Sequence, residues 1–298
     1  MRSYYCLLLF FICRIVLACD LKDDTGKIIH LDHPVKRIVS LSPDLTEILF
    51  AVGAGDKVVG IMRGSDYPPQ TKKIPVVANY NSIDSEAILA LHPDLIVSWT
   101  DVSFSGQLKK LPVPVYFSHQ KWVTDIPNTM RKFSCITDHP DQAEKSAQMF
   151  LQHYQQLKNN FANKKPVTVF YQVWSKPLIT VTKKSWINEL IILCGGKNIF
   201  ADLQGTAPEV NLEAVVVANP DVIIGSGVEN WNAWPQLSAV QHHHVITLNH
   251  DLIDRAGPRI LVGAENLCRV FDSARMGTVS PVVSLLPARF LRWEKGRG

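Results

Sequence analysis

A chain of 298 residues, 46% hydrophobic and 19% charged with a formal net charge of +4, has the composition of a globular protein large enough for two lobes. The apolar fraction and the lack of a short period or like-charge block exclude collagen-like and disordered classes. The only long apolar run lies at the start and nothing later approaches the ~20 residues of a bilayer span, which excludes a polytopic membrane protein.

The first 19 residues carry Arg2, an apolar stretch over 6–12, a Cys13-Arg14 interruption and then Ile15-Val16-Leu17-Ala18-Cys19. A basic start, a short apolar centre and a small residue before the cut are the parts of a secretory signal, so the mature chain is expected to be exported. Val16-Leu17-Ala18-Cys19 also resembles a bacterial lipoprotein box, which would make Cys19 a lipidated first residue. The alternative is cleavage after Ala18 with Cys19 left as an exposed thiol.

The next strong pattern is a buried strand over 37–41 running into Ser42-Pro43-Asp44, where Ser42 can cap a helix and Pro43 suits its first position. That helix places Leu45, Ile48, Leu49 and Val52 on one face and stops at Gly53. Strands at 58–61, 95–99 and 113–117, with short helices between them, make residues 20–137 an α/β lobe. Over 140–161, Ala143, Ala147, Phe150, Leu151, Tyr154, Leu157 and Phe161 recur at three- and four-residue steps, the mark of one amphipathic helix of about six turns. With its flanks this linking segment covers 138–163. Strands at 167–173, 222–225 and 245–248 and helices at 186–193 and 258–271 then give a second α/β lobe over 164–272.

The second lobe repeats the first. Glu86-Ala87-Ile88-Leu89-Ala90-Leu91-His92-Pro93-Asp94-Leu95-Ile96-Val97 matches Glu213-Ala214-Val215-Val216-Val217-Ala218-Asn219-Pro220-Asp221-Val222-Ile223-Ile224 in character at every position. Glu47 with Gly53 and Glu189 with Gly195 share a further spacing in the same order. The expected fold is therefore two α/β lobes with mainly parallel central sheets, tied by one long rigid helix into a clamp of limited opening. The 26 residues from 273 onward carry a net +4 and read as a disordered basic tail, while 19–272 has 24 basic and 26 acidic residues. The positive charge thus belongs to the chain's ends and gives no support to a nucleic-acid partner.

Outside the signal, the cysteines are Cys19, Cys135, Cys194 and Cys268, and no C-x-x-C pair points to zinc or thioredoxin chemistry. In an oxidising compartment one disulfide is expected, with Cys194 and Cys268 the favoured pair and two buried thiols the alternative. The chain has no Walker, H-E-x-x-H or nucleophile-elbow motif, and Gly53-Ala54-Gly55 lacks the third glycine of a dinucleotide loop, which disfavours an enzyme. His250 with Asp251 is the only adjacent acid/base candidate. His242-His243-His244 reads as a solvated loop rather than a metal site, and neither metal nor cofactor is expected.

Ligands of open α/β sheets bind beyond the carboxyl ends of strands, and those ends carry Trp99, Trp174, Ser226-Gly227 and Asp251. Two tryptophans at equivalent places suggest a shared aromatic cleft, with core packing the alternative for each. Asp251 and Arg255 are spaced to lie together, either as a mutual ion pair or as anchors for a ligand's amides or carboxylates.

These residues carry a family resemblance. Arg37-Ile38-Val39-Ser40-Leu41-Ser42-Pro43, Ser65-Asp66-Tyr67-Pro68-Pro69-Gln70, His92-Pro93-Asp94-Leu95-Ile96-Val97, Cys194-Gly195-Gly196-Lys197-Asn198-Ile199-Phe200 and Arg255-Ala256-Gly257-Pro258-Arg259-Ile260 resemble the helical-backbone periplasmic binding proteins of iron-chelate and cobalamin importers, nearest the cobalamin-binding members. The resemblance runs from about Lys36 to Phe271. It implies a class III periplasmic binding fold and a monomeric, non-catalytic receptor that delivers a cobalamin-type chelate to an ABC permease dimer, with haem or a ferric siderophore as the alternative ligand. It places Trp99, Asp251 and Arg255 on ligand contacts and Tyr80 where a tryptophan is usual. It sets Cys194 and Cys268 on the family's disulfide, and Glu86 and Glu213 on a pair of permease-docking glutamates. Taken alone, each glutamate is an acid in a helix's first turn, as the helix dipole favours. Gly64, Val173 and Ala207 depart from expected aromatics, which should widen the pocket, with Trp174 supplying one wall back.

Overall fold

The computed structural model describes residues 19–279 except 101 and 162. The signal and all but the first residues of the basic tail, both expectations of the sequence, lie outside the described residues. The chain opens on an antiparallel hairpin that periodicity had not revealed, β1 (Cys19–Lys22) with β2 (Ile28–Leu31), in which Cys19 pairs with Leu31. The first lobe then builds on β3 (Ile38–Leu41), β4 (Val58–Met62), β5 (Val76–Ala78), β6 (Leu95–Trp99) and β7 (Val115–Ser118), with helices α1 (Pro43–Ala51), α2 (Ser85–Ala90), α3 (Ser105–Leu108) and α4 (Asp125–Lys132). The linking helix α5 spans Pro140–Phe161. In the second lobe come β8 (Val167–Gln172), a small hairpin of β9 (Trp174–Ser175) and β10 (Leu178–Ile179), β11 (Gly196–Asn198), β12 (Val222–Gly225) and β13 (Val245–Thr247). Its helices are α6 (Trp186–Leu193), α7 (Leu212–Ala218), α8 (Ser238–Gln241), α9 (His250–Ile253) and α10 (Ile260–Met276).

Both main sheets are parallel, ordered β5-β4-β3-β6-β7 and β11-β8-β12-β13. The second is the first without its edge strand, so the sequence repeat is a repeat of topology. Its small devices repeat too. Asp84 and Asn211 each cap their helix by accepting from the backbone N–H three residues on, at 2.9 and 2.7 Å. Asp94 accepts from the Lys36 and Arg37 amides where β3 begins, and Asp221 from the Thr168 amide where β8 begins. His92 and Asn219 both end their helices at φ near +40°.

Strand side chains sort alternately to the two faces of each sheet, as parallel sheets covered on both sides require. In the first lobe Ile38, Val97 and Tyr116 face one core while Val39, Ile96 and Phe117 face another. In the second, Val169, Tyr171 and Ile224 join the first core and Phe170 and Ile223 form a third. The shared core is continuous through the linking helix, whose Ala143, Ala147, Phe150 and Leu157 are buried between α4 on one side and α10 on the other. At Gly225 the strand end passes so close to Gln172 that an added Cβ would lie 1.9 Å from its carbonyl oxygen at a φ of +132°, which only glycine accommodates.

Several sequence expectations need correction. Cys19 is buried rather than an exposed thiol, and it is disulfide-bonded to Cys135 with its Cα 5.8 Å away. The hairpin carries Cys19 onto the turn that follows α4, a long-range contact that spacing does not encode. Cys194 and Cys268 form the expected bond at 2.05 Å, so the described residues hold two disulfides rather than one. The last helix also runs on to Met276, ending at Gly277 with φ +63°, and residues 273–276 are helix rather than tail. Arg275 is the reason: its guanidinium donates to the carbonyls of Lys165, Cys194 and Gly195 and pairs with Asp272. The three histidines are likewise not a uniformly solvated loop. His244 is buried with its Nε2 3.0 Å from the Thr278 carbonyl, while His242 and His243 are exposed.

Candidate interlobe site

The site lies where the first helix of the first lobe meets the segment after β13 of the second. Ser42 caps α1 by accepting from the Leu45 amide at 3.3 Å, with Pro43 in the first turn as its rigid φ favours. The helix is buried on every side, so Asp44 and Glu47, one turn apart, are acids held at 1% and 2% exposure. Such groups persist only with dedicated partners.

Asp44 accepts from the Trp99 indole at 3.0 Å and from the Ser42 hydroxyl. The Gln120 amide, oriented with its nitrogen toward two acceptors, donates to Asp44 at 3.0 Å and to the Ala256 carbonyl of the other lobe at 2.8 Å. Burial pushes the Asp44 carboxyl above the usual carboxylate range, opposed by the Ser42 and Trp99 hydrogen bonds. Glu47 receives the Arg259 guanidinium on both oxygens, at 3.0 and 2.6 Å, and Arg255 stands 3.6 Å away. Burial raises this carboxyl too, although the two guanidiniums work against it. Arg259 also lies over the Tyr67 ring, 4.0 Å from its centroid.

The structure brings Asp251 and Arg255 together as the spacing implied, at 2.5 Å, and adds a partner from across the lobes: Arg255 Nη1 also pairs with Asp66 at 2.7 Å. Hydrogen bonding and charge from Arg255 hold Asp66 below its ordinary value against the opposing effect of burial. Trp99 is half-buried at the end of β6, where its indole is tied to Asp44. Trp174 is 58% exposed and its indole donates to the Lys176 carbonyl within its own hairpin. Tyr80 is also exposed, and its hydroxyl lies 3.0 Å from where a Cβ on Gly64 would stand, at a φ of +91°. The opening expected at Gly64 is therefore occupied in part by Tyr80. Val173 is half-buried against the core and Ala207 is exposed.

Glu86 and Glu213 are exposed in the first turns of α2 and α7, equivalent helices of the two lobes. Among the described residues, no three His, Cys, Asp or Glu side chains gather as a metal site would need, and no helix is long and apolar enough to cross a membrane.

Asp44, Gln120 and Arg259 were not singled out from sequence as site residues, and Glu47 was noted only for its spacing to Gly53. The available signal was a pair of acids three residues apart on a helix that is apolar apart from them and Thr46, which demands cationic or hydrogen-bonding partners without naming them.

Residues 38–252 match the family model described as periplasmic binding protein. The vitamin B12-binding protein of a Vibrio cholerae serotype O1 strain is 38% identical over 269 residues, covering 87% of this chain and 98% of that one. The vitamin B12-binding protein of Yersinia pestis is 39% identical over 247 residues, covering 80% and 87%. Among solved structures, the periplasmic vitamin B12-binding protein BtuF of Vibrio cholerae superposes with a TM-score of 0.75 at 39% identity, over 81% of this chain and 98% of that one. The haem-binding protein RhuT from Roseiflexus superposes at 0.71 with 23% identity, over 80% and 98%, a likeness of fold alone.

Proposed function

The chain belongs to the periplasmic binding protein family, and from that premise we propose that it binds cobalamin between its lobes in the periplasm and delivers it to the permease dimer of an ABC importer. The observation that carries the reading is likeness across nearly the full length of relatives named for vitamin B12 binding, at an identity well above that to the haem-binding fold relatives. The site supports it chemically. Trp99 and Tyr80 offer aromatic surface for the faces of a macrocycle, Trp174 adds a third ring, and Asp251 with Arg255 offers a donor–acceptor pair for the amide groups on its rim. The buried acids Asp44 and Glu47 are occupied by donors, which suits a binding role.

Two exposed glutamates on equivalent helices of a pseudo-symmetric pair of lobes suit a permease that presents two equivalent basic surfaces, Glu86 and Glu213 docking one to each. A receptor of this kind works as a monomer. Titration of the purified protein with cyanocobalamin, followed by tryptophan fluorescence, tests the ligand. Quenching that saturates at micromolar cobalamin is expected. Absence of quenching there, with haem or a ferric siderophore binding in its place, would replace the ligand and leave the family intact.

A further inference from the structure

The two lobes exchange glutamates in a symmetric pattern. In the first lobe, Glu47 sits on the helix that follows the first sheet strand, six residues before Gly53, which has φ +87°. In the second, Glu189 sits on the corresponding helix, six residues before Gly195, which has φ +70°. Each reaches the opposite lobe beyond that lobe's last sheet strand. Glu47 takes Arg259 and approaches Arg255, which follow β13. Glu189 Oε2 accepts the Val123 amide at 2.9 Å, which follows β7, while its Oε1 accepts the linking-helix Tyr154 hydroxyl at 2.9 Å.

We propose that Glu47 and Glu189 are paired positioning residues, two clasps related by the internal repeat that set the separation of the lobes, and that Glu47 thereby fixes Arg255 at the ligand cleft. The two are unequal by chemistry. Glu47 is 2% exposed and meets two guanidiniums, one of them bidentate, whereas Glu189 is partly exposed and meets two neutral donors. The Glu189 clasp is the one that yields first, so the lobes part around the Glu47–Arg259 pair. Asp66 and Tyr67 of the first lobe hold the same two arginines from the other side and reinforce that pivot.

The proposal deepens the cobalamin reading but is separable from it. Spin labels on non-canonical residues at the exposed Lys110 and Lys197, one per lobe, report the distribution of interlobe distances by pulsed electron resonance in E47Q, E189Q and Y154F. D202N, in the exposed Lys183–Asp202 pair within the second lobe, is the control. Broadened or lengthened distances are expected in E189Q and Y154F, and larger changes in E47Q, with none in D202N. Cyanocobalamin affinity should fall about tenfold or more in E47Q, tenfold being the effect of ~1.4 kcal/mol, and less in E189Q. Unchanged distance distributions in E189Q and Y154F would overturn the clasps, whether or not E47Q folds. If the unmodified protein fails to bind cobalamin while E189Q still broadens the distribution, the ligand assignment falls and the clasps stand.

Discussion

Replacing Trp99 by phenylalanine removes one hydrogen bond and leaves most of the aromatic surface. The indole N–H donates to Asp44 Oδ2 at 3.0 Å, and Asp44 is 1% exposed, so the lost donor cannot be replaced by bulk water. The Gln120 amide still donates to Asp44, so the change removes one hydrogen bond to a charged group, worth about 1.5–3 kcal/mol. The cost should depend on pH. Burial raises the Asp44 carboxyl in the native state, so this group favours folding at acid pH and loses that contribution as pH rises. Removing a donor to the charged form raises the carboxyl further, at ~1.4 kcal/mol per unit, and the gap between the two proteins must widen with pH. On direction alone, the deficit should be smaller at roughly pH 5 and larger near pH 8, where about 2 kcal/mol is the scale of one lost hydrogen bond to a charged group. The smaller ring's packing loss is the same at both pH values and cancels in the comparison. Urea unfolding of both proteins at the two pH values, followed by far-ultraviolet circular dichroism, measures the difference. A deficit that is equal at both, or larger in acid, would refute the account of Asp44.

Other consequences are as direct. Removing the Cys194–Cys268 bond as C194A/C268A opens a loop of 74 residues, and loop-closure entropy puts the loss at about 4 kcal/mol, read from the urea midpoint of the oxidised parent against the variant. Asp24 would be raised by burial, but the Lys132 ammonium, the His119 amide and the Ser118 hydroxyl outweigh that and hold it below its ordinary value. Its stabilisation is present above the unfolded carboxylate range and lost as pH falls through the native value. K132A should therefore lower stability by up to about 1 kcal/mol at neutral pH, with the difference vanishing in strong acid. If Glu86 and Glu213 dock the permease, E86A/E213A should bind cobalamin like the parent yet fail to support its uptake into proteoliposomes carrying the permease. Uptake at the parental rate would remove the docking role.

The repeat was legible because it is local. A helix, a Pro-Asp turn and a hydrophobic strand fall within twelve residues, so Glu86 to Val97 and Glu213 to Ile224 display the same unit without any knowledge of its surroundings. The linking helix was legible at its full length for the same reason, since its apolar positions recur at the period of one helix. Local pattern also brought Asp251 to Arg255, four residues apart. The N-terminal hairpin escaped because its two four-residue strands alternate buried and exposed positions and lack the continuous apolar run that marked the equally short β3 and β12.

What the sequence could not decide are pairings between distant segments. Cys19 with Cys135, Asp66 with Arg255 and Glu47 with Arg259 are separated by 116, 189 and 212 residues, and each depends on where two lobes or a hairpin come to rest. The sequence by itself determined two α/β lobes, their internal repeat and the helix between them, because strand and helix periodicities are written residue by residue. Tertiary structure alone decided which charges face one another across the lobes. A buried carboxylate requires a donor, but chain geometry chooses which arginine, amide or indole arrives.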